Sequence, residues 1–65
     1  MPAQRTHFVR YLVADVVCVE RCDSYGAATE RARQLLLGGK TALVSIYDRD
    51  PAKDPAARPI ATRLG

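Results

Sequence analysis

Three carboxylates of this 65-residue chain lie close together in the segment DRDPAKD. Asp48, Asp50 and Asp54 lie there, and carboxylate oxygens are ligands that Mg²⁺ and Ca²⁺ prefer. A calcium loop of the EF-hand type also needs a glycine at its sharp turn and a closing glutamate, which this segment lacks. Arg49 and Lys53 compensate its charge. The segment therefore predicts a solvated turn, and we expect no metal and no cofactor.

Asp15 is the second candidate for chemistry, because it stands among valines in the apolar run HFVRYLVADVVCVER. A carboxylate buried there is costly unless it is paired, and it could serve as a catalytic acid or base. We favour a structural role, in which Asp15 bonds backbone amides at a bulge or pairs with Arg10 or Arg33. His7, the single histidine, begins the run. We interpret it as a surface residue around which no Ser-His-Asp grouping can be built.

The two cysteines, Cys18 and Cys22, lie on the same run. Four residues of extended chain separate them by about 13 Å, whereas the Cα atoms of a disulfide lie within about 7 Å. A zinc site needs more ligands than these two thiols and His7 provide. We expect both cysteines to be reduced, with Cys18 a small core residue.

Ten basic and seven acidic residues give a formal net charge of +3, and eight of the ten basic residues are arginines. In a dimer, those near the two ends could join into one phosphate-binding surface, with tyrosines as stacking groups. The candidate phosphate contacts are Arg5, Arg10, Arg58 and Arg63. We favour ordinary solvated charge, and expect any nucleic-acid binding to be weak.

The run from His7 to Arg21 has the composition of a β-strand, and its middle is apolar on both faces. Fifteen extended residues span roughly 50 Å, while a compact domain of this length is about 28 Å across. The strand must therefore break near Asp15 or pack on a second chain. We favour a bulge over a hairpin, since the glycine or asparagine of a tight turn is absent.

A helix should follow, with Ser24 or Asp23 as its N-cap and Gly38-Gly39 at its end. Its predicted inward face consists of Ala28, Ala32, Leu35 and Leu36. A second strand is expected over 40–48, and a short edge strand can follow Pro59. The predicted fold is a single small α+β domain of order β-α-β. It has a flexible N-terminus at 1–6, a core at 7–48 and a Pro-containing extended tail at 49–65.

One helix covers only one face of such a sheet, so we expect a sheet-mediated homodimer to cover the other. The predicted interface is Tyr11, Val13, Val17 and Val19. If the helix takes that face, Phe8, Leu12 and Val16 replace them.

The start MPAQRTHFVR lacks the apolar core of a signal peptide, and no apolar run approaches the ~20 residues of a membrane span. We therefore expect a cytoplasmic protein without a membrane partner. The first functional hypothesis is a non-enzymatic interaction or regulatory accessory module that acts as a homodimer with an unidentified partner. The alternative is a weakly basic nucleic-acid-binding protein.

A third hypothesis comes from Met1-Pro2, whose processing would expose an amino-terminal proline. With its length and element order, the chain resembles the 4-oxalocrotonate tautomerase family, and the resemblance implies Pro2 as a general base. We rank it last because AQRT separates Pro2 from the strand, which in that family begins at the proline.

Overall fold

The computed structural model describes residues 6–65, which form a four-stranded sheet with one helix on one face. The small α+β class is as predicted. The elements, in chain order, are β1 (His7–Val13), β2 (Val16–Cys22), α1 (Tyr25–Leu37), β3 (Leu43–Tyr47) and β4 (Ala61–Leu64). The strands lie in the order β2-β1-β3-β4, and every neighbouring pair is antiparallel.

The predicted long first strand is wrong, because the chain reverses at Ala14-Asp15 and forms the β1–β2 hairpin. Both turn residues have left-handed backbone, with φ of 50° and 66°, which is the conformation of a two-residue type I′ turn. Its register runs from Val13 opposite Val16 to His7 opposite Cys22. Folding back resolves the excess length without a bulge, and it leaves Asp15 exposed at the tip of the turn.

The helix has the predicted N-cap. Ser24 has extended backbone, and its Oγ accepts a hydrogen bond from the Ala27 amide at 3.0 Å. At the other end, Gly38 caps α1 and Gly39 takes a left-handed φ of 76°, which glycine adopts without strain. Local sequence signals therefore determine both ends of α1.

The core lies between α1 and the sheet. Its fully buried residues are Val9, Ala28, Ala32, Val44 and Ile46, with Leu35 and Leu36 packed against them. The inward face of the helix is therefore the predicted one, and alanines at its centre allow close approach to the branched side chains of β1 and β3. Since β2 and β3 are both antiparallel to β1, they are parallel to each other, and α1 connects them past β1.

The segment after β3 turns back towards the sheet. Asp50 Oδ1 accepts a hydrogen bond from the Ala52 amide, and Asp54 Oδ1 accepts one from the Ala56 amide, both at 2.9 Å. The predicted edge strand is present as β4, which pairs antiparallel with β3. Part of the predicted tail is thus a strand of the same sheet.

Candidate functional site

Alternation along β1 assigns its side chains to the two faces of the sheet. Val9 lies in the core beneath α1, so Tyr11 shares the helix side, whereas Arg10 and Leu12 point away. We call the face opposite α1 the open face. Within residues 6–65, every strand belongs to this one sheet and the single helix packs on its other side, so no helix or strand covers the open face.

Four aliphatic side chains line up across the open face, one from each strand. In the register, Val17 pairs with Leu12 and Leu43 pairs with Leu64. Leu12 and Leu43 lie one position beyond the Tyr11–Val44 pair, so the four positions form one row. The exposed fractions, in the order of the strands, are 50% for Val17, 48% for Leu12, 47% for Leu43 and 74% for Leu64. We call these four residues the apolar row.

The rest of the open face is more polar and more enclosed. Arg10 lies in the next row, between Val19 and Ser45, and it makes no ion pair with any residue of 6–65. Ser45 and Tyr47 are each only 7% exposed. The accessible apolar surface of this face is therefore concentrated in the apolar row.

The hairpin divides the predicted interface residues between the two faces. Tyr11 and Val13 lie on the helix side, whereas Val17 and Val19 lie on the open face. The alternative set is divided too, with Phe8 and Leu12 on the open face and Val16 on the helix side. The prediction that either set shares one face is wrong, because the two-residue turn shifts the alternation of β2 relative to β1.

The predicted phosphate contacts do not form one patch in the part of the chain that the structure describes. Arg10 lies on the open face, Arg63 is opposite Val44 on the helix side of β4, and Arg58 is exposed in the connection before β4. Arg5 lies outside the described residues, as does Pro2, the general base implied by the tautomerase resemblance.

A hydrogen-bonded network joins the hairpin to the helix. The Tyr11 hydroxyl donates to Glu20 Oε2, and Arg31 donates to both Glu20 oxygens, from Nε at 2.8 Å and from Nη2 at 3.0 Å. The bond to Arg31 holds the pKa of Glu20 below its ordinary value, and the bond to Glu20 raises the pKa of Tyr11. The phenol therefore keeps its proton at neutral pH. The network connects side chains of β1, β2 and α1 by hydrogen bonds.

His7 is buried, whereas the sequence predicted a surface residue. It is 6% exposed, and its ring packs edge-on against Tyr25 with the ring centroids 5.6 Å apart. The first turn of α1 covers this end of β1, a long-range contact that the sequence pattern does not reveal.

The cysteines and aspartates form no reactive cluster among the described residues. Cys18 and Cys22 are free thiols, and burial raises the pKa of Cys22. Arg49 pairs with Asp54 at 3.3 Å and with Asp48 at 3.6 Å. Residues 6–65 contain no group of three His, Cys, Asp or Glu side chains arranged to hold a metal ion, and none of their helices is long and apolar enough to cross a membrane.

No known family model, curated protein or solved structure matches the chain. The features of the molecule that bear on function are therefore the apolar row and the charges beside it.

Proposed function

We propose that the protein is a small non-enzymatic interaction module that self-associates as a homodimer through its open face. The observation that carries the proposal is the apolar row. In it, each of the four strands presents one aliphatic side chain that is about half exposed or more. A contiguous apolar surface bordered by polar residues is typical of a protein interaction site.

The dimensions of the molecule support a second copy as the occupant. The described residues measure 38 × 24 × 15 Å, and the short dimension fits one helix layer on one sheet. The broad face is thus comparable in area to the roughly 800 Å² per partner that a standard interface buries. Two sheets packed face to face would form a second core about 10 Å thick.

The small size of the core supports the same arrangement. Among residues 6–65, the large side chains that are fully buried are only those of Val9, Val44 and Ile46. Domains of about 60 residues bury a smaller fraction of their surface than larger domains do, and they are often stabilised by association. A dimer through the open face supplies that burial.

Nucleic-acid binding remains the second candidate, because Arg10, Arg21 and Phe8 share the open face. Two arginines neutralise few phosphates, so the complex should be weak and should dissociate as salt rises. Tyr47, the neighbour of Phe8 on β3, is too enclosed to serve as a stacking platform. Fluorescence anisotropy of a labelled single-stranded oligonucleotide at increasing salt concentration tests this candidate. Binding that survives physiological salt would make nucleic-acid binding the favoured function.

The tautomerase-like activity depends on Pro2 and stays a prediction. Loss of a ketonisation activity when Pro2 is replaced by alanine would support it.

The dimer is tested with two matched variants. Leu12→Lys places a charge in the apolar row, whereas Leu37→Lys makes the same change at a 74%-exposed leucine at the end of α1. We expect size-exclusion chromatography with light scattering to give a folded monomer for Leu12→Lys and a dimer for both Leu37→Lys and the wild type. Circular dichroism controls for folding. Equal masses for the two variants would contradict the proposal.

A further inference from the structure

We infer that two copies pack with opposed strand directions across the open face, and that Arg10 of each chain pairs with Asp15 of the other. This inference rests on the proposed homodimer and specifies its geometry. Each chain carries two charges that have no ion-pair partner within residues 6–65, one on either side of Leu12, and a notch lies between them.

Arg10 is a cation that a second sheet would cover. It lies two residues before Leu12 on the same strand and face, so it is displaced from the apolar row by about 7 Å. It is partly buried and has no ion pair within residues 6–65. A charge removed from water needs a counter-charge or hydrogen-bond acceptors, so the partner must bring an acceptor to this position.

Asp15 is the complementary group. It lies in the turn that follows β1, about 7 Å beyond Leu12 on the side away from Arg10. It is exposed, and it makes no hydrogen bond or ion pair within the described part of the chain. Each chain thus carries two opposite charges at similar distances on either side of its apolar row, and neither has an ion-pair partner among the described residues.

A notch of about 360 Å³ separates these two charges on each chain. Its lining includes Arg10, Leu12, Asp15, Lys40, Thr41 and Ser45, and Asp15 is its only carboxylate. A two-fold axis at the level of the apolar row reverses the strand direction, which places Arg10 of one chain above the turn end of its partner's notch. Packed sheets lie about 10 Å apart, a gap that an arginine and an aspartate side chain together can span.

Lys40 lines the same notch and opposes the approach of a guanidinium. With strands in the same direction, Arg10 would instead lie near its own copy, where like charges repel. The opposed arrangement therefore gives the Arg10 of each chain a carboxylate partner, and its two-fold symmetry limits the assembly to two chains. Lys40→Gln should tighten the dimer.

Charge reversal in trans tests the pairing. Arg10→Asp alone and Asp15→Arg alone each create two like-charge contacts in a homodimer, and each should raise the dimer dissociation constant by about tenfold or more. In the heterodimer that an equimolar mixture of the two variants can form, one contact is the native Arg10–Asp15 pair and the other joins the two substituted residues with reversed sign, so both contacts are attractive. We expect the mixture to regain wild-type affinity as a heterodimer, measured by sedimentation velocity with one variant fluorescently labelled.

Two milder variants give an independent test. They are needed because arginine at position 15, where the backbone is left-handed, can disrupt the turn. Arg10→Gln and Asp15→Asn remove the charges without repulsion, and asparagine tolerates a positive φ. Each should weaken the dimer, and the double variant should be no weaker than either single one, because the same contact is lost.

The outcomes separate this inference from the proposed function. Failure of the mixture to associate, together with additive losses in the milder variants, would overturn the Arg10–Asp15 pairing. If Leu12→Lys is still monomeric in that case, the open-face dimer stands with a different alignment. A wild-type monomer would overturn both.

Discussion

Replacing Ala14 with asparagine should stabilise the protein, because Ala14 occupies a backbone conformation that alanine disfavours. Its φ is 50°, and a non-glycine residue in the left-handed region carries a cost of roughly 1–2 kcal/mol. Asparagine is enriched in that region and is a favoured first residue of type I′ turns. Recovery of about half the cost gives a gain of about 0.5–1 kcal/mol, which for a domain of this size is a rise of about 2–8 °C in Tm.

The assay is thermal unfolding by circular dichroism at one fixed protein concentration, since a dimer has a concentration-dependent Tm. Ala52→Asn is the matched control, because Ala52 is exposed in a turn and has no positive φ. The control should leave Tm nearly unchanged. An equal shift in both variants, or a loss of stability in Ala14→Asn alone, would refute the type I′ turn and with it the assignment of the β2 side chains to the two faces of the sheet.

Three further predictions concern the network, the core and the thiols. Glu20→Gln should bring the raised pKa of Tyr11 down towards its ordinary value, as measured by ultraviolet titration. In the wild type, the depressed pKa of Glu20 means that the stability from its contacts is present above about pH 4.5 and is lost as the pH falls through the folded pKa. Ala32→Leu should cost about 1–3 kcal/mol in urea unfolding by overpacking the core, whereas the same change at exposed Ala27 should cost little; equal effects would contradict the assigned helix face. Titration of the folded protein should find two free thiols, with Cys22 the slower because burial raises its pKa; a faster Cys22 would contradict this.

Local signals explain which parts of the fold could be predicted from the sequence. The helix is marked by a capping serine, by Ala28 and Ala32 at helical spacing and by two glycines at its end. Each of these signals determines the conformation of residues only a few positions away in the sequence. The alternation after Pro59 predicts β4 for the same reason.

The hairpin could not be predicted in this way, because Ala14-Asp15 lacks the residues that normally mark a type I′ turn. The length argument did require a break near Asp15, but length alone does not distinguish a bulge from a reversal. The wrong assignment of the predicted interface residues to one shared face follows from that turn. Along one continuous strand Tyr11 and Val17 share a face, whereas in the hairpin Tyr11 is opposite Cys18, and Val17 moves to the other face.

The position of β1 between β2 and β3 was equally hidden. A strand, a helix and a strand with short connections favour neighbouring parallel strands, and the sequence gives no local mark of the strand inserted between them. The apolar row depends on this arrangement, because it brings Leu12 opposite Leu43. Its members come from four strands, so the row exists only after the sheet has formed.

Sedimentation equilibrium of the wild-type protein, from low to high micromolar concentration, tests the central claim most directly. A homodimer through the open face predicts that the mass rises with concentration from the monomer value of 7.1 kDa to twice that value and stops there, because a two-fold interface is closed. A well-folded protein that stays at the monomer mass throughout this range, or one whose mass grows beyond the dimer, would contradict the claim.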